Sequence, residues 1–295
     1  MNRANDITNA LTVDVEDYFQ VSAFERVISR SDWDAHACRV EQNTDRLLAL
    51  FGRHRVAATF FVLGWIAERY PAMVRRILEQ GHEVASHGYD HTRATTQTRT
   101  AFKEDVDRTR RLLEDITGGT VAGFRAASFS IGRDNLWALE ALKECGYHYS
   151  SSIYPVRHDL YGMPEAPLSP FRYSAEAVVE IPLSTRQLLG RNLPASGGGF
   201  FRLFPYAFSR NTIRHINRHD GRPVIFYFHP WEIDPHQPRP QGATAKTRFR
   251  HYLNLDVMES RLERLLTDFS WGRMDRVFEQ DIESASVVDL AKRAA

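Results

Sequence analysis

Two histidines, His87 and His91, stand four residues apart in Gly81-His82-Glu83-Val84-Ala85-Ser86-His87-Gly88-Tyr89-Asp90-His91. On one helical turn or in a tight loop, that spacing aims two imidazoles at a common point. Imidazole nitrogen is the commonest side-chain ligand for zinc and related metals. Near the start of the chain, Ala10-Leu11-Thr12-Val13-Asp14-Val15-Glu16-Asp17 opens as a strand and turns acidic. Asp14, Glu16 and Asp17 repel one another unless a cation or an arginine compensates. They are candidates for a metal ligand and a general base. Period-two alternation puts Asp14 and Glu16 on one strand face and Val13 and Val15 on the other. Arg125 is delivered by the short strand predicted over Val121 to Ala126, and His229 follows the apolar run Pro223 to Phe228. Paired imidazoles, a carboxylate, a spare carboxylate, an arginine and a third histidine suit a metal-assisted hydrolase better than a nucleophile triad. Ser128, Ser130 and Ser151 lack the glycines of a nucleophile elbow.

The elements that must position these residues alternate along the chain. Helices are expected over Gln42 to His54 (capped by Asn43 or Thr44), Ile66 to Gln80, Thr100 to Thr117 and Asn135 to Cys145. Strands are expected at Val56 to Leu63, Val84-Ala85, Val121 to Ala126 and Tyr147 to Ser150. Such β-α alternation implies a parallel sheet wrapped by helices, as an open sheet or a barrel. All the candidate residues fall at or just after strand ends, and in α/β folds those ends converge on one face. Ser151 to Pro170, with its prolines and Gly162, reads as a long binding loop. Strand character resumes at Val178 to Leu183. The glycine run in Ser196 to Phe201 lacks the spacing and following helix of a phosphate loop, and reads as a tight turn or a close backbone approach. A helix follows over Pro205 to His219. Asp234 to Gly242 is a proline-rich connector. It leads to an amphipathic helix at Met258 to Phe269 and a short helix with a frayed tail at Glu279 to Ala295.

The whole is 295 residues with 43% hydrophobic and 25% charged residues, ordinary for a globular protein. Lys plus Arg is 38 against 37 for Asp plus Glu, which gives no reason to expect nucleic acid or an anionic membrane as the main partner. No apolar run approaches the roughly 18 residues of a membrane span. The polar stretch Met1 to Asn9 lacks the apolar centre of a signal peptide. The expected location is cytoplasmic. Cys38 and Cys145 make no disulfide framework.

These motifs resemble the NodB-type polysaccharide deacetylases, carbohydrate esterase family 4. Leu11-Thr12-Val13-Asp14 looks like the family's first acidic motif and Gly81 to His91 like its paired-histidine metal motif. Gly123-Phe124-Arg125 looks like its arginine motif and Phe228-His229 like its late histidine motif. The likeness is greater to one branch, the exosortase-associated (XrtA/PEP-CTERM) polysaccharide deacetylases, through Leu11 to Gln20, Gly197 to Arg202, His229 to Asp234 and His251 to Leu255. It covers nearly the whole chain. It implies a distorted (β/α) barrel of about seven strands, a catalytic domain over residues 1–233, and an extension over 234–295 packed on the barrel. It also implies removal of N-acetyl groups from a polysaccharide, in exopolysaccharide biosynthesis or modification. The implied ligands are His87, His91 and Glu16 or Asp17. Glu16 is favoured because it shares a strand face with Asp14. Asp14 would be the base, His229 the acid, and Arg125 would hold Asp14 charged and oriented. Zinc is the expected metal, though the ligand set also suits cobalt, manganese or iron. Phe129, Tyr154 and Trp231 could stack on sugars, although each fits a core as well. Asp90 could stand behind the metal ligands, and His82 and His148 would serve structure.

The chain departs from the family pattern in three places. Val15 follows Asp14, so the second acid is displaced. Ala126-Ala127 stand where a proline usually follows the arginine, which would loosen the loop. Ser150 stands where the branch usually has an aspartate. Two other readings remain open at this level. One is an amide hydrolase on a small cyclic amide or ureide. The other is a non-catalytic glycan-binding relative, to which Ala127 and Ser150 point.

Overall fold

The computed structural model describes residues 7–158, 161–188 and 190–290. Its strands are β1 (Thr8–Val15), β2 (Thr59–Val62), β3 (Glu83–Ser86), β4 (Gly123–Phe124), β5 (Tyr149–Ser150), β6 (Val179–Glu180), β7 (Thr185–Leu188), β8 (Arg191–Pro194), β9 (Ile225–Phe228) and β10 (Ser270–Gly272). The helices are α1 (Val40–His54), α2 (Gly64–Arg69), α3 (Pro71–Glu79), α4 (Arg99–Thr117), α5 (Trp137–Glu144), α6 (Gly198–Leu203), α7 (Tyr206–His215), α8 (Ala245–Tyr252), α9 (Met258–Asp268), α10 (Met274–Val277) and α11 (Glu279–Ser284).

Strands β1 to β6 pair in sequence, all parallel, and β9 joins β1. Seven parallel strands thus curl into a partial barrel, the expected architecture. β10 also pairs with β1, through Thr8, Asn9 and Ala10, whereas β2 uses Thr12 to Val15 and β9 uses Ala10 to Val13. A strand has only two edges. β9 overlaps both other partners, so β2 and β10 must share the opposite edge end to end. The extension after residue 233 therefore contributes a sheet strand as well as helices. β7 and β8 form a separate antiparallel hairpin that the sequence pattern did not reveal.

Side chains alternate across the sheet with period two. Leu11, Val13, Phe60, Val62, Phe226 and Phe228 pack outward under the helices. Ala10, Phe61, Ala85, Tyr149, Val179, Ile225 and Tyr227 fill the inside. Continuing each alternation past the strand end puts Asp14, His87, Arg125 and His229 on the inner side at the carboxyl ends of their strands.

Local chemistry explains where elements differ from expectation. The helix expected over Ile66 to Gln80 is two helices, because Pro71 begins the second one at its first turn, where a missing N–H costs least. Asn43 and Thr44 lie buried inside α1 and are not its caps. The cap comes from Asp17, whose carboxylate accepts from Arg39 N (2.5 Å) and Val40 N (2.8 Å). A short helix, α6, does follow the glycine run. The last helix is only Glu279–Ser284, residues 285–290 of that expectation are not helical, and residues 291–295 lie outside the described residues, as do residues 1–6. Among the described residues no helix is long and apolar enough to cross a membrane.

Candidate metal and acid–base site

Asp14 is the last inward-facing residue of β1, and Glu16 follows one residue past the strand end, with its N–H bonded to the Asp14 carbonyl at 3.0 Å. His87 follows β3, Arg125 follows β4 and His229 follows β9. Glu16, His87 and His91 are all buried, and each offers a ligand atom within 4.8 Å of the others. His91 reaches its place with φ of 59°, a left-handed backbone that costs a non-glycine residue about 1 kcal/mol or more and tends to mark functional positions.

Hydrogen bonds prepare these three groups for a cation. The Nδ1 of His87 lies 2.8 Å from the Arg125 carbonyl, which can only accept. Nδ1 therefore carries the proton and Nε2 keeps its lone pair. Burial lowers the His87 imidazole below its ordinary value. Burial, then His87 and His229, lowers His91 much further, so both rings are neutral. Glu16 Oε2 is buried without a hydrogen-bond partner although His91 Nε2 is 3.0 Å away. Facing lone pairs from a carboxylate and a neutral imidazole suit a divalent cation between them.

Asp17 is placed differently. Besides capping α1, it accepts from Tyr18 N at 2.8 Å. Burial raises its carboxyl to about 6 against those backbone N–H groups. The geometry thus puts Glu16 in the ligand cluster and commits Asp17 to the start of α1.

Arg125 and Asp14 form a buried pair at 2.6 Å. The same guanidinium nitrogen donates to Thr12 Oγ1 (2.8 Å), and Nε donates to the Ser151 carbonyl (3.1 Å). Phe61 lies under the guanidinium at 4.1 Å. Every direction in which Arg125 could swing is occupied, so Asp14 is fixed in orientation.

His229 sits between two carboxylates. Its Nε2 is 3.1 Å from Glu16 Oε1 and its Nδ1 is 2.8 Å from Glu232 Oε1. Burial pulls the imidazole down, but Glu16 and Glu232 outweigh it and raise it to about 9. Burial would raise Glu232, yet Arg202, at 2.7 Å, and His229 bring it down to about 2. Arg202 in turn donates to the carbonyls of His251 (3.0 Å) and Leu253 (2.6 Å), tying the extension to the site. The sequence reading missed Glu232 and Arg202. The His-x-x-Glu spacing was a visible signal for the first; the second is brought up by α6. A Cβ on Gly198 would stand 2.2 Å from the Glu232 carboxylate, so the glycine run is a close backbone approach.

The three aromatics expected to meet sugar do not present free faces. Tyr154 is fully buried and its hydroxyl donates to the Ser196 carbonyl at 3.0 Å. Trp231 is stacked between His229 (5.2 Å) and His251 (4.1 Å). Phe129 is buried against Tyr227 at 4.7 Å. Their placement supports packing and the orientation of His229, not sugar stacking. Asp90 turns away from the cluster toward Thr92 and Arg30. His82 accepts from Ala58 N at 3.0 Å, a structural contact.

Two of the three departures have local compensations. The Ala126 N–H, which a proline would lack, donates to Ser152 Oγ at 2.8 Å and ties the loop down. Ser150 pairs in register with Glu180, whose carboxylate accepts from the N–H groups of Ser152 (2.8 Å) and Ile153 (2.7 Å). A buried carboxylate is therefore present beside Ser150, supplied by the neighbouring strand.

Residues 31–150, which include His87, His91 and Arg125, match the family model described as polysaccharide deacetylase. Residues 151–279 match a model described as a domain of unknown function, DUF3473. The peptidoglycan-N-acetylglucosamine deacetylase PgdA of Listeria monocytogenes is 40% identical over 75 residues, 25% of this chain and 16% of that protein. The peptidoglycan deacetylase-like protein FGM2 of Gibberella zeae is 30% identical over 171 residues, 56% of this chain and 50% of that protein. The chain thus spans half or less of these relatives. A crystal structure from Mycobacterium smegmatis, assigned as a polysaccharide deacetylase, superposes with a TM-score of 0.63 at 18% identity. It covers 98% of this chain and 96% of that one, a likeness of fold.

Proposed function

We propose that this protein is a metal-dependent hydrolase that removes N-acetyl groups from a polysaccharide in exopolysaccharide biosynthesis or modification. The carrying observation is the Glu16–His87–His91 cluster set between a fixed carboxylate, Asp14, and a carboxylate-flanked imidazole, His229. A divalent metal, zinc by preference of ligand type, would be held by Glu16, His87 and His91 and would supply Lewis-acid chemistry to the acetamide carbonyl and the attacking water. Asp14, oriented by Arg125, accepts the proton of the attacking water. His229, charged between Glu16 and Glu232, donates a proton to the departing nitrogen, since an amine leaves poorly unless protonated. The resemblance of Gly197 to Arg202, His229 to Asp234 and His251 to Leu255 to the exosortase-associated branch supports the exopolysaccharide setting. The structure gives those stretches one shared task, because Arg202 joins Glu232 to the carbonyls of residues 251 and 253.

A cleft of about 440 Å³ lined by Phe19, Glu25, Arg30, Trp33 and His91 adjoins the cluster and offers room for substrate. The deciding experiment is acetate release from N-acetylated oligosaccharides, measured before and after chelation and after metal return, alongside metal analysis. Metal-dependent release is the expected outcome. A metal-loaded protein that releases no acetate from any N-acetylated glycan overturns the reading.

A further inference from the structure

Among the described residues, the exposed large apolar side chains are not scattered evenly. Four of them cluster on α6 to α8: Leu203 (45% exposed) ends α6, Phe204 (37%) follows it, Phe208 (42%) lies in the first turn of α7 and Phe249 (59%) lies in α8. Phe200 makes them continuous. It stacks on Phe204 at 6.5 Å, Phe204 meets Phe208 at 4.7 Å, and Phe200 shares a groove of about 310 Å³ with Leu203, Phe249 and Leu253. Isolated exposed apolar residues need no explanation, but a contiguous ridge of aromatics marks an interaction surface.

Along α8 the charge has one sign. α8 reads Ala-Lys-Thr-Arg-Phe-Arg-His-Tyr, with Lys246, Arg248 and Arg250 exposed around Phe249 and no acid in the helix. From Gly198 to Leu255 the acids are Asp220, Glu232 and Asp234. Glu232 and Asp234 are buried and paired with Arg202 and Arg39. A second copy docking through the same patch would set Arg248 and Arg250 against their own counterparts. The partner that fits is apolar at depth and anionic at its surface.

We propose that the α6–α8 ridge docks the protein on an anionic lipid surface, with Phe204, Phe208 and Phe249 entering the headgroup boundary and Arg248 and Arg250 meeting the lipid phosphates. This surface has a functional bearing. The groove it borders is lined at its inner end by Tyr227, whose ring stands edge-on to His229 at 6.2 Å. Docking by this face brings the mouth of that groove to the membrane, where a glycan held at the lipid surface can enter. The proposal concerns binding and does not depend on the deacetylase reading.

The test is flotation of the purified full chain with vesicles of phosphatidylglycerol and phosphatidylcholine, and with phosphatidylcholine alone, at low and high salt. The protein should float with the anionic vesicles at low salt and much less with neutral ones. Arg248→Glu with Arg250→Glu, and separately Phe204→Ser with Phe249→Ser, should each lower vesicle binding at least about tenfold. Both double variants should keep their thermal midpoint and metal content. No binding to anionic vesicles, or binding that both variants retain, overturns the proposal. Sedimentation without lipid closes the remaining route: a dimer that the phenylalanine variants break apart would assign the ridge to a second copy instead.

Discussion

Glu16 and Asp17 are adjacent carboxylates with opposite surroundings, and each makes its own prediction. Glu16 Oε2 lacks a hydrogen-bond partner and faces the His91 ring, whereas Asp17 accepts three backbone N–H groups. Glu16→Ala should empty the metal site with little loss of stability. Asp17→Ala should keep the metal and lose about 1–2 kcal/mol of stability, the usual cost of a helix cap. Metal analysis and denaturant unfolding of both variants check this; an Asp17→Ala protein that is stable but metal-free refutes the assignment. His229→Ala should keep its metal and slow the chemical step by about 10²–10⁴-fold, read by single-turnover acetate release. The pH response follows from its partners. In the chelated protein His229 is raised from 6.5 to about 9, so its contribution is complete below 6.5 and is lost as pH rises through 9. The thermal midpoint should fall across that window, and Glu232→Gln should flatten the fall. The alternation of β1 made Asp14 and Glu16 legible in the sequence as a facing pair. Arg202 was not legible, because its bond to Glu232 spans a loop closure that no local pattern records.

At the scale of elements, β5 and β6 show how a missing residue can be covered by a neighbour. Ser150 is buried, hydrogen-bonded to Ser152 at 2.8 Å, and opposite Glu180. Restoring an aspartate there would bury a second carboxylate against the first. Ser150→Asp should therefore lower stability by about 1–3 kcal/mol without raising activity, measured by urea unfolding and acetate release. A large gain in activity would show that Glu180 does not stand in for the absent acid. The strands and helices themselves were legible because each carries its own period: buried runs for β2 and β9, an amphipathic stripe for α1, α4 and α9. What was not legible depends on distant partners. β10 is only Ser-Trp-Gly and becomes a strand because β1 offers a free edge beside β2. The α1 cap was misplaced for the same reason, since Asp17 lies twenty-odd residues before the helix it caps.

For the whole molecule, the question is whether the last sixty residues are an appendage or part of the barrel. The two family models meet between residues 150 and 151, at the end of β5 and inside the sheet that continues into β6. That junction divides one sheet and is not a folding boundary. Beyond residue 256, Met258, Leu262, Leu265, Leu266, Trp271, Met274 and Phe278 are all buried. Met274 lies inside the sheet with its sulfur 3.9 Å from the Arg125 guanidinium, and its N–H bonds Thr59 on β2 at 2.8 Å. At roughly 1.5–3 kcal/mol for each large apolar side chain, losing these seven removes about as much as the roughly 5–15 kcal/mol by which a domain is ordinarily stable. It would also strip the first half of the β2-side edge of β1, the strand that carries Asp14. A chain ending at Asp256 should therefore fail to fold, with no cooperative thermal transition and rapid proteolysis. The complete chain should unfold in a single transition. If the shortened chain melts cooperatively and still binds metal, the extension merely rests on a self-sufficient barrel, and the β1–β10 pairing is dispensable.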